Sequence, residues 1–334
     1  MGPAAAPVAP GAADIEAAAA RIAPHVRVTP VLPVDVGGRP VELKLECLQV
    51  GGTFKARGAF ARLLAAREAA ARERRPQPAR VVAASGGNHG IAVAYAAREL
   101  GLRANVFVPR TSPRAKLERL RALGATVHAE GEEYAQAYSA SRAFAVEHGA
   151  LESHAYDQFD TLAGQGTLAR EWLAQSPGLD VLLVAVGGGG LIGGIAAWLD
   201  ARARHGARVP RLVSVESEGC PTLHAALGAG RIVEIEPRGL AADSLGARRA
   251  GELMFPLAQR RIAEAVLVPD EAIAAAQAAL WRLARVATEP GGAAAFAALA
   301  SGAWRPVGDE RVGVLVCGAN VDLHALADTV ASAG

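Results

Sequence analysis

Short apolar runs alternate along the chain with longer segments in which apolar residues recur at helical spacing. The first set of strand-like runs lies at residues 81–84, 105–109 and 126–129, and it forms a compact unit that ends near Tyr156. A second set lies at residues 181–186, 211–216, 265–268 and 312–317. Because strands that alternate with helices pair in parallel through right-handed crossovers, the pattern predicts an α/β fold with two parallel sheets.

A proline-containing segment at residues 72–80 is predicted to link two domains. We expect a small domain of residues 80–156 and a large domain built from residues 1–79 and 157–334. Residues 1–13 are rich in alanine and proline and are expected to form a disordered tail. We also expect the small domain to close over a bound substrate and exclude water.

Two glycine-rich segments have the form of anion-binding turns. Ser85-Gly86-Gly87-Asn88-His89-Gly90 follows a strand-like run and precedes a helical pattern, so its N–H groups and the helix dipole would face an anion. Four consecutive glycines at residues 187–190 lie in the same setting and would form a nest of N–H donors. The four-glycine segment does not have the spacing of a dinucleotide fingerprint. Either one alone is also compatible with an ordinary strand-to-helix turn.

Lys55 lies within Gly-Thr-Phe-Lys-Ala-Arg-Gly-Ala at residues 52–59. A lysine amine is a nucleophile only where desolvation or a neighbouring cation lowers its pKa, and Phe54 and Arg57 are the neighbours expected to do so. Taken alone, the stretch also fits a solvated lysine at the start of a helix over residues 59–71.

A fourth segment, residues 312–322, is a buried-strand run that ends in Cys-Gly-Ala-Asn-Val-Asp. The strings GTFKARGA, SGGNHG, GGGG and CGANVD, in this order, resemble the fold type II pyridoxal-phosphate enzymes of the serine/threonine dehydratase (ammonia-lyase) and serine racemase family. The resemblance extends from about Ile15 to Asp322. It implies a tryptophan synthase β-like architecture, in which two three-layer α/β/α domains hold pyridoxal 5'-phosphate in the cleft between them.

The resemblance implies a role at the cofactor for each matching residue. Lys55 is expected to bind the cofactor aldehyde and to serve as the catalytic base, with Phe54 packed against the ring. Asn88 is expected to bond the ring hydroxyl, Cys317 to face the pyridine nitrogen, and Glu289 to lie near the ring. The cofactor-binding set is completed at the phosphate by Gly187, Gly188, Gly189, Gly190 and Leu191. The substrate carboxylate is assigned to a further set, namely Ser85, Gly86, Gly87, Asn88 and His89.

The implied reaction is β-elimination from a 3-hydroxy-L-amino acid, which gives a 2-oxo acid and ammonia. The neutral thiol of Cys317 would hold no proton on the pyridine nitrogen, so the ring would be a weak electron sink and prompt loss of a β-substituent is favoured. L-Threonine, L-serine and the bulkier threo-phenylserine share the reacting centre, and the sequence leaves the choice among them open. Tyr134 and Tyr138 are expected either to shape the pocket beyond Cβ or to be exposed helix residues. No arginine lies between residues 124 and 141, where racemases of the family carry one.

Two alternatives remain open. A serine racemase would need an acid on the second face of Cα, but Gly86 stands where the racemases have a serine, so a dehydratase is favoured. A catalytically silent cofactor-binding protein is the other alternative. Relatives that bind a divalent cation have an aspartate six residues after a glutamate; Glu216 matches the glutamate and Thr222 takes the later position, so we expect no metal. The segment 243–247 resembles a family segment at the mouth of the active site.

The composition restricts the class of protein but does not identify the reaction. The formal charge of +2 argues against a nucleic-acid partner, and 51% hydrophobic residues fit a globular enzyme. Three cysteines without metal spacing, together with no signal-peptide pattern and no long apolar run, predict a cytoplasmic protein that does not enter a membrane. The resemblance implies a homodimer and a small amino acid as substrate. Since few residues follow Asp322, we expect no C-terminal regulatory domain and no inhibition by isoleucine.

Overall fold

The structure is a computed structural model that describes residues 8–332. Ten strands occur in this part of the chain: Val31–Val36 (β1), Arg39–Lys44 (β2), Arg80–Ala84 (β3), Arg103–Val108 (β4), Thr126–Ala129 (β5), Leu151–Glu152 (β6), Val181–Ala185 (β7), Arg211–Ser217 (β8), Ile262–Val268 (β9) and Val312–Leu315 (β10). Its helices are Ala12–Ile22 (α1), Lys55–Arg72 (α2), Asn88–Glu99 (α3), Arg114–Ala122 (α4), Tyr134–His148 (α5), Phe159–Gln175 (α6), Gly190–Arg204 (α7), Thr222–Ala229 (α8), Ala242–Leu245 (α9), Phe255–Arg261 (α10), Asp270–Ala284 (α11), Pro290–Ala300 (α12) and Leu323–Ser332 (α13).

The larger sheet has the strand order β1-β2-β10-β7-β8-β9. All its neighbouring strands pair in parallel except β1 and β2, which form an antiparallel hairpin at one edge. The hairpin corrects the expectation of a wholly parallel sheet. Pro33 is tolerated in β1 because an edge strand need not donate every backbone hydrogen bond. Gly37 and Gly38 have φ of +61° and +82°, as a two-residue hairpin turn requires.

The smaller sheet is parallel throughout, with the order β5-β4-β3-β6. Its first three strands match the strand-like runs that the apolar pattern predicts, whereas β6, with only two residues, is too short to give such a pattern. Helix α2 ends at Arg72 and β3 begins at Arg80, so residues 73–79 connect the two sheets. The domain boundaries at residues 79/80 and 156/157 stay a prediction.

Helix α1 shortens the expected N-terminal tail. It begins at Ala12, where the N–H of Gly11 donates to the Asp14 carboxylate at 2.9 Å, and it buries Ile15 and Ile22. The tail prediction is therefore wrong for residues 12 and 13, because both are alanines, which favour a helix, and because α1 buries one face against the rest of the protein. Residues 1–7 lie outside the described residues.

Each sheet has its own apolar core. The larger core surrounds the central strands β10, β7 and β8 and includes Trp172 and Ile195, while the smaller one is built around Phe60, Val93 and Val106. Strands β3, β7 and β10 end at residues 84, 185 and 315, and each is followed by one of the segments singled out in the sequence. Within residues 8–332, no helix combines the length and the apolar character needed to cross a membrane.

Candidate active site

Lys55 is the first residue of α2, and its side chain is partly buried. The Nζ atom donates to the Ala155 carbonyl at 3.1 Å and lies 4.9 Å from the centroid of the Phe54 ring. Desolvation lowers the pKa of Lys55 to about 8, although Cys317 and Glu289 act in the opposite direction. About a tenth of the amine is therefore uncharged at pH 7, far more than for an ordinary lysine, and this fraction is available as a nucleophile.

Arg57 does not contribute to this pKa shift, contrary to the sequence-based expectation. Its guanidinium points away from the site and pairs with Glu46 at 2.6 Å and with Glu171 at 2.9 Å, and it is 2% exposed. The lowering of the Lys55 pKa therefore comes from burial and not from a neighbouring cation.

The end of β10 adjoins the lysine loop. The N–H of Phe54 donates to the Cys317 carbonyl at 3.1 Å, and Thr53 forms an antiparallel bridge with Gly318. The Cys317 thiol donates to the Gly291 carbonyl at 3.4 Å, and burial raises its pKa. Cys317 is therefore a neutral thiol at neutral pH, as expected from the sequence.

A chain of polar side chains joins Asn88 to both neighbouring loops. The Asn88 Nδ2 atom donates to Glu289 at 2.6 Å, and its Oδ1 atom accepts from Asn320. Asn320 in turn donates to the Gly51 carbonyl at 3.0 Å and accepts from Arg119. Burial raises the pKa of Glu289 to about 7, against the lowering effect of its bond with Asn88. One N–H of the Asn88 amide is left to bond a ligand.

The asparagine loop presents free backbone donors. Among residues 8–332, the N–H groups of Gly86, Asn88 and His89 find no protein acceptor, whereas that of Gly87 donates to Ser85 Oγ at 3.3 Å. These groups lie at the N-terminus of α3, where the helix dipole favours an anion. His89 is buried, and its Nε2 atom bonds the Ser153 carbonyl at 2.8 Å. Burial lowers the pKa of His89 to about 3, so the imidazole is neutral and Nε2 carries its proton.

The four-glycine loop also presents free backbone N–H donors. Within the described residues, the N–H groups of Gly187, Gly188 and Gly189 make no hydrogen bond to protein, and those of Gly190 and Leu191 open α7. The Leu191 side chain itself lies in the larger core.

Neighbouring side chains pack closely around this loop. A Cβ atom on Gly188 would lie 2.4 Å from the Tyr156 ring, and one on Gly189, where φ is +89°, would lie 2.6 Å from Met254. A Cβ on Gly187 would lie 3.0 Å from the Leu245 carbonyl. The loop therefore requires glycines and keeps its donors free for a ligand.

The segment 243–247 lies between these loops, in agreement with the resemblance. Ser244 Oγ accepts from the Gly291 N–H at 2.9 Å, and the Asp243 carbonyl lies 4.0 Å from a Cβ built on Gly87. The structure thus brings together the sequence-predicted residues at Lys55, Asn88, Glu289 and Cys317, with the four-glycine loop linked to them through Ala155 and Tyr156.

These groups fit pyridoxal phosphate. A partly uncharged amine suits an aldehyde, a nest of unpartnered N–H groups suits a dianionic phosphate, and a neutral thiol suits an unprotonated ring nitrogen. Tyr156, Asn320 and Arg119 belong to the same neighbourhood, but no role was assigned to them from the sequence. The sequence could have indicated Asn320, because it lies in the Cys-Gly-Ala-Asn-Val-Asp string. It gives no indication of Tyr156 or Arg119, because the residues that these two contact are distant along the chain.

Glu216 lies at the end of β8. It is fully buried, and its two carboxylate oxygens accept from the N–H groups of Leu223 and His224, both at 2.7 Å. Burial raises its pKa to about 8. Thr222 donates its hydroxyl to the Ala247 carbonyl at 2.8 Å. Within residues 8–332, no group of three or more histidine, cysteine or acidic side chains has a metal-binding arrangement.

Comparisons with known proteins extend over nearly the whole chain. A family model described as pyridoxal-phosphate dependent enzyme matches residues 22–318. Phenylserine dehydratase of Ralstonia pickettii is 36% identical over 307 residues, which are 91% of each protein. L-threonine ammonia-lyase of Thermotoga maritima is 34% identical over 290 residues, covering 87% of this chain and 69% of the relative. Among solved structures, maize serine racemase has a TM-score of 0.86 and 31% identity, with 97% of this chain and 98% of that chain covered.

Proposed function

The chain belongs to the pyridoxal-phosphate dependent enzyme family, and on that premise we propose that it is an ammonia-lyase acting on a 3-hydroxy-L-amino acid. The elimination removes water, and hydrolysis of the resulting imine takes up water and releases ammonia, so the net reaction converts the amino acid into a 2-oxo acid and ammonia. The observation that carries the proposal is Lys55, an amine with a pKa of about 8 beside free N–H donors in the asparagine loop and next to the four-glycine loop. The printed activities of the dehydratase and ammonia-lyase relatives support the same chemistry.

Each loop has its own task in the proposed reaction. Pyridoxal phosphate, when bound, supplies the electron sink that stabilises negative charge at the substrate Cα. The N–H groups of residues 187–191 hold its phosphate, and those of Gly86, Asn88 and His89 hold the substrate carboxylate. Lys55 holds the cofactor before substrate arrives and then removes the Cα proton as the general base. The same proton can pass from Lys55 to the departing 3-hydroxyl, so that water leaves and the base is regenerated.

Three buried groups set the electrostatics around that step. Cys317 is neutral and places no charge against the ring, which limits the lifetime of negative charge at Cα and favours prompt loss of the hydroxyl. Neutral His89 adds no competing cation next to Lys55. Glu289, held by Asn88, orients the amide that bonds the ring hydroxyl.

The test uses the small number of lysines in the chain. Only Lys44, Lys55 and Lys116 can form the covalent link, so reduction of the holoenzyme with borohydride followed by peptide mass spectrometry identifies the site directly. We expect the label on Lys55 alone, together with 2-oxo acid and ammonia from a 3-hydroxy amino acid. Lys55→Ala should lose both label and turnover, while Lys116→Ala should keep the label. A label on another lysine, or no ammonia from threonine, serine or phenylserine, would refute the proposal.

Serine racemisation is the second candidate, and the likeness to maize serine racemase favours it. It needs a proton donor on the face of Cα opposite Lys55, and Gly86 has no side chain to provide one at the position that carries a serine in racemases. A chiral assay of serine separates the two reactions. Conversion of L-serine to D-serine faster than pyruvate release would make the chain a racemase.

A further inference from the structure

Three of the four tyrosines in the chain gather in one row of rings. Tyr134 and Tyr138, one turn apart on α5, stack with centroids 6.1 Å apart. Tyr138 meets His154 edge to face at 6.1 Å, and His154 meets Tyr156 in the same way at 4.8 Å. We call Tyr134, Tyr138, His154 and Tyr156 the aromatic row. With only 4% aromatic residues in the chain, such a concentration calls for a specific explanation.

The inner end of the row adjoins the reacting centre. His154 and Tyr156 flank Ala155, whose carbonyl accepts from Lys55 Nζ at 3.1 Å. Tyr156 also packs against the four-glycine loop, because a Cβ atom on Gly188 would lie 2.4 Å from its ring. From there the row leads outward along the smaller sheet to Tyr134. A substituent on the substrate Cβ that extends away from Lys55 on this side would therefore run along the rings.

The outer end of the row is not part of either apolar core. Tyr134 is 49% exposed and Tyr138 is partly buried. In the part of the chain that the structure describes, the hydroxyl groups of Tyr134, Tyr138 and Tyr156 make no hydrogen bond to protein. These rings are not buried in a core, and their hydroxyl groups are not engaged by protein. Because they also lie beside a reactive lysine, they have the character of a ligand-binding surface.

Apart from the reactive Lys55, no free positive charge for an anionic side chain adjoins the row within residues 8–332. Burial and the nearby Lys55 lower the pKa of His154, so its imidazole is neutral at neutral pH. Arg249, the cation that acts on Tyr156, is paired with Glu252 at 2.9 Å. A second carboxylate would find no counter-ion along the rings, whereas an aromatic ring would find stacking and edge-to-face partners.

We propose that the aromatic row binds the aryl group of a 3-aryl-3-hydroxy-amino acid and makes that class the preferred substrate over threonine and serine. The inference rests on the proposed elimination reaction and adds the side chain that the reaction selects. Tyr134 and Tyr138 are the specificity-determining residues, since their rings belong to α5 and not to the loops assigned to the cofactor and to the reactive lysine.

The test compares elimination rates from threo-3-phenylserine and L-threonine with the holoenzyme. We expect kcat/KM for phenylserine to exceed that for threonine by about tenfold or more, the discrimination that a complementary apolar pocket supplies. In Tyr134→Ala and Tyr138→Ala, the efficiency for phenylserine should fall several-fold more than that for threonine. Tyr134→Phe and Tyr138→Phe keep the rings and should keep the preference.

The ratio of the two efficiencies separates recognition from general damage. A substitution that only loosens α5 would lower both substrates together, and Val146→Ala, at an 83% exposed position on the same helix, controls for changes in that helix. Equal or better use of threonine by the wild-type enzyme would overturn the aromatic row as a recognition surface and leave the proposed elimination standing. Absence of ammonia from every substrate would instead overturn the elimination itself.

A binding measurement tests the row independently of turnover. L-Phenylalanine has the aryl group but no 3-hydroxyl to lose, and L-alanine lacks both. Titration of the holoenzyme with each, followed by the change in cofactor absorbance, should give a dissociation constant for phenylalanine about tenfold lower than that for alanine. The difference should shrink in Tyr138→Ala. Equal affinities for the two amino acids in the wild-type enzyme would contradict the proposal.

Discussion

At the scale of single residues, the glycines before α7 are set by what lies against them. Gly188 faces the Tyr156 ring, and an added Cβ atom would come within 2.4 Å of it. We therefore expect Gly188→Ala to displace Tyr156 and to weaken pyridoxal phosphate binding by about tenfold or more, a loss of roughly 1.4 kcal/mol or more. Absorbance titration of the apoprotein with the cofactor measures the change.

Gly228 is the matched control for this substitution. It lies in α8, and nothing comes within 4 Å of a Cβ atom built on it. Gly228→Ala should therefore bind the cofactor as the wild type does. Unchanged binding in Gly188→Ala would show that the loop has room for a side chain and does not close around a ligand.

The pKa of Lys55 gives a second expectation for a single residue. The amine attacks the cofactor aldehyde only when it is uncharged, and its pKa is lowered to about 8. The rate at which the apoprotein takes up pyridoxal phosphate should thus rise about tenfold per pH unit below this pKa and level off above it. Stopped-flow absorbance over a pH series measures the profile. A rate that keeps rising toward roughly pH 10, the ordinary range of lysine, would mean that Lys55 is solvated.

Lys55 could be recognised from the sequence because the signal lies in eight consecutive residues. The same stretch led to a wrong role for Arg57, since its partners Glu46 and Glu171 are 11 and 114 residues away along the chain. A sequence string indicates which side chain is reactive. It does not show which way a neighbouring side chain points, because on a helix two residues apart face different sides.

At the scale of elements, buried charges hold α2 against its neighbours behind the site. Arg57 on α2 pairs with Glu171 on α6 and with Glu46, and Lys44 on β2 also bonds Glu171. Removing Arg57 leaves Glu46 buried without its ion-pair partner and leaves Glu171 with Lys44 alone. We expect Arg57→Met to lower the free energy of unfolding by about 3–5 kcal/mol. Urea denaturation measures the loss.

An exposed pair provides the comparison for the buried one. Arg114 and Glu118 lie one turn apart on α4, and both are largely exposed. Arg114→Met should cost at most about 1 kcal/mol, as for surface ion pairs in general. Equal effects of the two substitutions would mean that the buried cluster contributes no more than a solvated pair.

The first turn of α8 donates hydrogen bonds to the buried side chain of Glu216. This arrangement makes the stability of the protein pH-dependent. Burial raises the pKa of Glu216 from 4.5 to about 8, although the N–H groups of Leu223 and His224 oppose the rise. The folded protein therefore keeps the proton between these pH values while the unfolded chain loses it. Stability must fall as pH rises through this window.

Glu216→Gln removes the titration and isolates its contribution. The free energy of unfolding of the wild type, measured relative to that of Glu216→Gln, should decrease by about 1–3 kcal/mol between roughly pH 5 and pH 8. Urea denaturation of both proteins at the two pH values gives this difference. The contributions of the other titrating groups are common to both proteins and cancel. A difference that is constant with pH would show that Glu216 is charged in the folded protein.

The hairpin of β1 and β2 shows why the apolar pattern did not predict some of the strands. Its residues include Pro33 and Pro40, and β1 is only partly buried, so neither strand has the continuous apolar run of a central strand. By contrast, β7 and β8 are buried on both faces and could be recognised from their composition. Edge elements depend on pairing with a neighbour that is distant in the sequence, and a local pattern does not report it.

At the scale of the whole molecule, the predicted family and fold type are confirmed by the comparisons. The site is assembled from loops that follow strands of both sheets, which explains why four separate strings were needed to recognise it. Parallel strands bring their carboxyl ends to one edge, so residues remote in sequence meet there. The homodimer and the cytoplasmic location implied by the resemblance stay predictions.

Contacts from α4 join the layer of the smaller sheet to loops that follow strands of the larger one. Lys116 pairs with Asp243, and Arg119 donates to Asn320, which also bonds Asn88 in the site. If closure of the smaller domain excludes water from the reaction, these contacts hold the closed form. The variant carrying Lys116→Ala and Arg119→Ala should then have a larger radius of gyration and faster hydrogen exchange in α4.

Small-angle scattering with and without a non-reacting amino acid tests this mechanism. The wild type should contract when L-alanine binds, and the double variant should need a higher concentration for the same contraction because two contacts of the closed form are missing. Arg121→Ala on the same helix is the control, since its exposed side chain makes no hydrogen bond or ion pair within the described residues. Identical scattering of the free and bound wild type would mean that the two sheets do not move, and water would then have to be excluded by the loops alone.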